Sequence, residues 1–205
     1  MPSRRSIANG EDWGEQPALF DTSVEIFRYL VVISPSQEMI IEVTRLKEEL
    51  GQAIGTFLGE RSVAHITLLY AYLPIGYERY LIDGIQRAAR SAPAFTIHFS
   101  GIHQLQDNST IFIDPIEKIP IIALRKAIRN GLQSNKALNR LGIHSTSKPM
   151  LTIARKLPAD QMAKAMKALA PHIFERTEWV TEVILLRGGL KEGEKYVVVG
   201  RFGLG

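Results

Sequence analysis

The segment Val63–Tyr72, VAHITLLYAY, decides the fold of this chain. It is rich in β-branched, aliphatic and aromatic residues, which predicts a β-strand. Successive side chains of a strand point to opposite faces, so His65 and Thr67 share one face, whereas Ile66 and Leu68 share the other. This strand therefore presents two polar groups side by side within an apolar segment.

Helix and strand patterns alternate on both sides of this strand. Upstream, Glu25–Ser34 predicts a strand, and an amphipathic helix follows it, with Lys47 among the residues that we assign to the exposed surface. Downstream, Tyr77–Arg90 predicts a second helix, and Phe95–Phe99 with Thr110–Ile113 predict a hairpin. The first half of the chain is thus predicted as β-α-β-α followed by two paired strands.

A similar order of elements recurs in the second half. A helix is predicted from Ile119, a strand over Met150–Lys156, a helix from Pro158, and two last strands near Trp179–Leu186 and Lys195–Phe202. We therefore expect an α/β (α+β) fold with two pseudo-symmetric lobes. Each lobe is an antiparallel-rich sheet with helices outside, and the lobes face each other across a central cleft.

The domain organisation follows from this repeat. Residues 1–22 lack periodicity and predict a flexible N-terminal arm, and residues 23–205 predict a single duplicated domain. The first lobe covers about residues 23–115 and the second about residues 116–205, in an arrangement that allows strands to be exchanged between lobes. We expect a monomer.

Composition limits the classes of protein that this chain can belong to. It is 45% hydrophobic and 22% charged, as in ordinary globular proteins, and its net charge of +4 is scattered. Apolar runs such as Tyr29–Ile33 are far shorter than the roughly 20 residues that cross a bilayer, so we predict no membrane segment. The sequence has no cysteine, which excludes disulfides and a cysteine nucleophile, and we expect a cytoplasmic protein.

A second polar motif lies in the other half of the chain, at Pro149-Met150-Leu151-Thr152-Ile153. Together with Ala64-His65-Ile66-Thr67-Leu68, it resembles the motif pair of the two-histidine phosphoesterase superfamily, which includes 2′-5′ RNA ligase-like and cyclic phosphodiesterase enzymes. That family carries Pro-His-Leu-Thr at the second place. The resemblance covers most of the chain from Val24 to Phe202, and Met150 departs from it by standing where the second histidine belongs.

The resemblance implies a specific chemistry and the residues that perform it. The two motifs face each other around a phosphate; one imidazole takes a proton from the nucleophile, and the other donates a proton to the leaving oxygen. His65 is then the catalytic residue, and Thr67 and Thr152 bind the phosphate, with no metal and no cofactor. Met150 cannot serve as acid or base, and such a loss costs roughly a hundredfold to ten-thousandfold in rate.

Four further residues are candidates for the cleft. Lys148 has the strand parity of Met150 and would supply a charge at the cleft mouth. His144 belongs to a literal H-x-T sequence, in a segment that we predict to be a loop. Tyr70 and Arg155 each follow a motif threonine by three residues, so both are expected to point away from the cleft in a regular strand.

Three functional hypotheses follow. The first is a metal-independent 2′-5′ RNA ligase-like or cyclic nucleotide phosphodiesterase-like protein, impaired at Met150, which acts on or binds a 2′,3′-cyclic phosphate or a 2′-5′ linked nucleotide. The alternative is a non-catalytic module that binds a nucleotide or RNA in the same cleft. The third is that both motif matches are coincidental and that the chain is an α/β domain with a structural role. In the first two, the partner is a phosphate-containing nucleotide or RNA end.

Overall fold

A computed structural model of the chain describes residues 25–105, 109–139, 141–146, 148–191 and 194–205. The N-terminal arm predicted for residues 1–22 lies outside the described residues. Within the described ranges, no helix combines the length and the apolar character that crossing a membrane requires.

Strands and helices follow one another much as the sequence patterns predict. In chain order they are β1 (Ile26–Ile33), α1 (Gln37–Ile54), β2 (Ile66–Pro74), a 3₁₀ turn (Ile75–Tyr77), α2 (Glu78–Arg90), β3 (Phe95–Gln104), β4 (Ile111–Pro115), α3 (Lys118–Gln133), β5 (Ile143–Ser145), β6 (Leu151–Ala154), α4 (Ala159–Leu169), β7 (Glu175–Val180), β8 (Glu182–Gly188) and β9 (Val197–Gly203).

The nine strands of the described residues form one sheet in the order β7-β3-β4-β6-β2-β1-β8-β9, and β5 also pairs with β2. Every pairing is antiparallel. The two halves of the sheet meet where Ile66 of β2 pairs with Leu151 of β6. Each half contains strands from both halves of the chain, because β7 lies beside β3 and β8 lies beside β1. The predicted α+β class is confirmed, and its lobes are the two halves of one continuous sheet.

The helices cover one face of this sheet. Buried side chains of all four helices join the inward side chains of the strands in one main core. Helices α2 and α3 approach closely at two glycines, where a Cβ on Gly131 would lie 3.0 Å from the carbonyl oxygen of Gly84. The opposite face, which we call the open face, carries a small apolar cluster of Leu30, Val32 and Ile184. The candidate site lies on the open face.

Candidate phosphate-binding site

The two sequence motifs lie side by side where the halves of the sheet meet. Because Ile66 pairs with Leu151 in antiparallel register, His65 stands opposite Thr152, and Thr67 stands opposite Met150. Ile66 and Leu151 are 1% and 0% exposed in the core, so their neighbours along each strand point to the open face. We call His65, Thr67, Met150 and Thr152 the motif square; all four are half-buried.

A β-bulge follows the first motif threonine. Consecutive residues of β1 pair with Thr67 and Leu69, which leaves Leu68 as the extra residue of β2. Leu68 and Leu69 are therefore both buried in the core, each 1% exposed. This bulge reverses the alternation, and Tyr70 returns to the open face, where it packs against the apolar cluster that contains Leu30.

The second motif threonine is followed by a bulge of the same kind. Consecutive residues of β4 pair with Thr152 and Ala154, so Ile153 is the extra residue of β6. Ile153 and Ala154 are both fully buried, and the next side chain, Arg155, falls on the face of Thr152. The expectation that Arg155 and Tyr70 point away from the cleft assumed regular strands. It does not hold, because each strand gains one residue at its bulge.

His65 is held with one ring nitrogen available to a ligand. Its Nδ1 lies 2.8 Å from the carbonyl oxygen of Val63, which can only accept, so Nδ1 carries the proton and Nε2 is left as the acceptor. Burial lowers the pKa of His65, the bond to Val63 opposes this, and the positive charges of Lys47, Arg155 and Arg28 lower the pKa further. At neutral pH the ring is therefore a neutral base.

This lowered pKa predicts a pH dependence of stability. Between the folded pKa of His65 and its unfolded value of about 6.5, the unfolded chain binds more protons, so stability falls as pH falls through this window. We expect urea unfolding to show a steeper loss of stability below about pH 6.5 in the parent than in His65→Gln. Equal slopes for the two proteins would contradict the lowered pKa.

Lys47 corrects a sequence expectation, and its charge acts on His65 from α1, outside the motif square. It is 2% exposed rather than on the helix surface. Its Nζ donates to the carbonyl oxygens of Gly59 at 2.8 Å and Ser62 at 2.7 Å, and to Ser62 Oγ at 3.0 Å. Burial first, and the charge of Arg155 second, lower the pKa of Lys47 to about 8. Lys47 thus ties α1 to the loop that leads into His65.

Arg28 is a second residue that the sequence patterns did not single out. It lies on β1 with the alternation of Leu30 and Val32, so its side chain belongs to the open face. Its Nε is buried and has no hydrogen-bond partner among the described residues. The neighbouring strand carries Gly188 opposite Arg28, and a Cβ there would lie 2.8 Å from the ring of Tyr196, which occupies this space.

Tyr196 and Arg28 interact directly. Burial raises the pKa of the Tyr196 hydroxyl, whereas the charges of Arg28 and Arg155 and a hydrogen bond with Arg28 oppose the rise. Both arginines therefore act on Tyr196 as well as on His65. Arg155 lies beyond the His65 end of the motif square, after the bulge of β6, and Arg28 lies beyond its Thr67 end, where β1 pairs Arg28 with Tyr72.

In the sequence His144-Ser145-Thr146, the first two residues lie in β5 and Thr146 follows it, which corrects the loop predicted there. His144 of β5 pairs with Tyr70, and the two rings stack with centroids 5.0 Å apart. Thr146 Oγ1 donates to the carbonyl oxygen of Thr67 at 2.8 Å, so this hydroxyl stabilises the bulge of β2. His144 belongs to the open face. Because Leu68 is the extra residue of the bulge, Tyr70 and Thr67 are two strand positions apart, so His144 lies about 7 Å from Met150 along the strand direction.

Asp114 lies beside Met150 across the sheet, and Lys148 precedes Met150 by two residues along the chain. The pairing of β4 with β6 puts Asp114 opposite Met150, and Lys118 pairs with this carboxylate at 2.8 Å. Lys148 is exposed at a bend before the buried Pro149, and the strand alternation assumed for it does not apply, because β6 begins at Leu151. In the part of the chain that the structure describes, no group of three or more His, Asp or Glu side chains is placed to hold a metal ion.

Comparison with known proteins agrees with this arrangement. Residues 35–192 match the family model of the 2′-5′ RNA ligase superfamily. The fold is similar to that of TT0787 of Thermus thermophilus, with 20% identity, a TM-score of 0.66, and coverage of 86% of this chain and 97% of that one. It is also similar to E. coli LigT complexed with 3′-AMP, with 16% identity, a TM-score of 0.58, and coverage of 88% and 99%.

A search among curated proteins finds no match. The family match spans both motifs and both halves of the sheet. The chain belongs to the 2′-5′ RNA ligase superfamily of two-histidine phosphoesterases.

Proposed function

We propose that this protein binds a nucleotide or RNA end at the motif square, through a 2′,3′-cyclic phosphate or a 2′-5′ linked phosphodiester. The observation that carries the proposal is the meeting of His65, Thr67, Thr152 and Arg155 on one open face. Hydroxyl groups and a guanidinium donate hydrogen bonds to phosphate oxygens. Because the phosphate is charged, these hydrogen bonds are stronger than hydrogen bonds between two neutral groups. The neutral His65 ring adds an acceptor for a ribose hydroxyl.

Turnover at this site is expected to be slow. His65 Nε2 can accept a proton from water or from a ribose hydroxyl, but a second group must protonate the leaving oxygen. Met150 stands opposite Thr67 and has no titratable proton. Binding therefore persists while hydrolysis is impaired, and no step of this chemistry requires a metal ion.

The relatives favour a nucleotide as the ligand class. E. coli LigT has been solved in complex with 3′-AMP, ATP and NADP+, all of which carry phosphate and adenine. We extend this class of ligand to the present chain as part of the proposal. A monomeric, cytoplasmic protein remains our prediction.

A second candidate function is hydrolysis with His144 in place of the missing histidine. The observation that favours it is the position of His144 on the open face, stacked against Tyr70. His144 is displaced from the position of Met150 along the strand direction, so it would reach a leaving group only on a ligand that extends towards Tyr70. A His144→Ala variant that loses residual hydrolysis but keeps binding would support this role.

Titration of the protein with adenosine 2′,3′-cyclic phosphate tests the leading proposal. We expect Thr67→Val, which keeps the shape of the side chain, to weaken binding about tenfold, because it removes a hydroxyl donor to a charged group. Thr177→Val is the matched control, since Thr177 is an exposed strand threonine of β7, away from the motif square. Calorimetry gives both affinities. Undetectable binding by the parent, or equal binding by Thr67→Val, would reject the proposal.

A further inference from the structure

We propose that the motif square binds a phosphomonoester dianion more tightly than a cyclic phosphate monoanion, because Arg28 and Arg155 both contact the bound phosphate. This inference rests on the proposed function and narrows it to one class of ligand. The favoured ligand is a nucleotide or RNA end that carries a terminal 2′- or 3′-phosphate, the group left when a cyclic phosphate is opened by water.

The first step is the state of the Arg28 side chain. Its Nε is shielded from solvent and meets no acceptor among the described residues. A buried, unpaired donor of a charged group is costly, and native structures seldom retain one without a ligand or water. Arg28 interacts with the Tyr196 hydroxyl, but that contact leaves Nε unpaired. An anion on the open face would supply the missing acceptor.

The second step is the charge around the square. The charges that act on His65 are those of Lys47, Arg155 and Arg28, and all are positive. The ammonium of Lys47 is already bonded to protein oxygens, which leaves the two arginines for a ligand. The carboxylate that the register brings beside the square is Asp114, and Lys118 pairs with it. The square thus has two positive charges that this carboxylate does not neutralise.

The third step is the match between these groups and the two kinds of phosphate. A phosphomonoester carries about −1.5 to −2 at pH 7, has three terminal oxygens, and loses its last proton with a pKa of about 6. A cyclic phosphate carries one negative charge and has only two terminal oxygens. Two guanidinium groups, each able to donate two parallel hydrogen bonds, suit the group with more charge and more oxygens. Tyr196, neutral at pH 7, adds a donor beside them.

Calorimetric binding of adenosine 3′-phosphate and adenosine 2′,3′-cyclic phosphate from pH 5 to pH 7.5 tests this inference. In the parent, we expect the monoester to gain about tenfold in affinity across this range as it becomes a dianion. The cyclic ligand has no proton to lose in this range, so it reports the titration of the protein itself, including that of His65. We therefore compare the ratio of the two affinities at each pH.

The variant Arg28→Gln should remove most of the pH-dependent gain for the monoester and leave the cyclic ligand less affected. Arg45→Gln is the matched control, because it removes the same charge from an exposed position on α1. An affinity ratio that does not change with pH in the parent overturns the inference, and so does an unchanged gain in a folded Arg28→Gln protein. If Arg28→Gln does not fold, the pH dependence of the affinity ratio in the parent alone tests the inference. Failure of both ligands to bind would instead reject the proposed function.

Discussion

Replacing Met150 with histidine is expected to raise hydrolysis of a 2′,3′-cyclic nucleotide by about a hundredfold to ten-thousandfold, the usual contribution of a general acid or base. The reason is the register of β2 and β6, which puts residue 150 opposite Thr67 and diagonal to His65. A histidine there would complete a pair of imidazoles on either side of a phosphate. Asp114, opposite residue 150 on β4, provides a carboxylate that can orient the new ring.

The measurement is the initial rate of ring opening, followed by chromatography of the nucleotide products. The double variant His65→Ala, Met150→His is the decisive control, because a new imidazole that acts with His65 loses its effect without it. The gained activity should return to the level of the parent in this double variant. If Met150→His hydrolyses no faster than the parent, although it binds the nucleotide, the loss of the second histidine is not what limits turnover.

Much of this site could be predicted from the sequence because it depends on the alternation of strand residues. His65 with Thr67, and Met150 with Thr152, share a face for that reason, and the register of Ile66 and Leu151 brings the two pairs together. The same rule failed at Tyr70 because a bulge adds one residue to the strand. The local sequence does not indicate the bulge at Leu68 and Leu69, because leucine is compatible with either face of a strand.

Lys47 and Arg28 were missed for different physical reasons. Lys47 follows Val43 by four residues and precedes Leu50 by three, so helical spacing puts it on the buried face. Its charge led to an exposed assignment, and only the carbonyl groups of a distant loop make its burial tolerable. Arg28 lies near the start of β1, and its proximity to Tyr196 depends on the pairing of β8 with β1. A single sequence does not specify that pairing.

The Lys47→Met variant is expected to lower the free energy of unfolding by about 1–3 kcal/mol. The change keeps the length of the side chain and removes an ammonium that donates to Gly59 and Ser62. The Gly59 carbonyl keeps other donors, namely the backbone nitrogen and hydroxyl of Ser62, whereas the Ser62 carbonyl loses its hydrogen bond from the lysine. Urea unfolding measures the loss, and Arg45→Met, an exposed change on the same helix, should be close to neutral.

The same variant should also change the titration of His65. Removing Lys47 takes away one of the three positive charges that lower the pKa of His65, so this pKa should rise towards its ordinary value. A loosened loop acts in the same direction, because it opens the ring to water and reduces the effect of burial. NMR titration of the His65 ring measures the shift in folded protein. A ring that titrates as in the parent would mean that Lys47 stabilises the fold without setting the protonation of the candidate base.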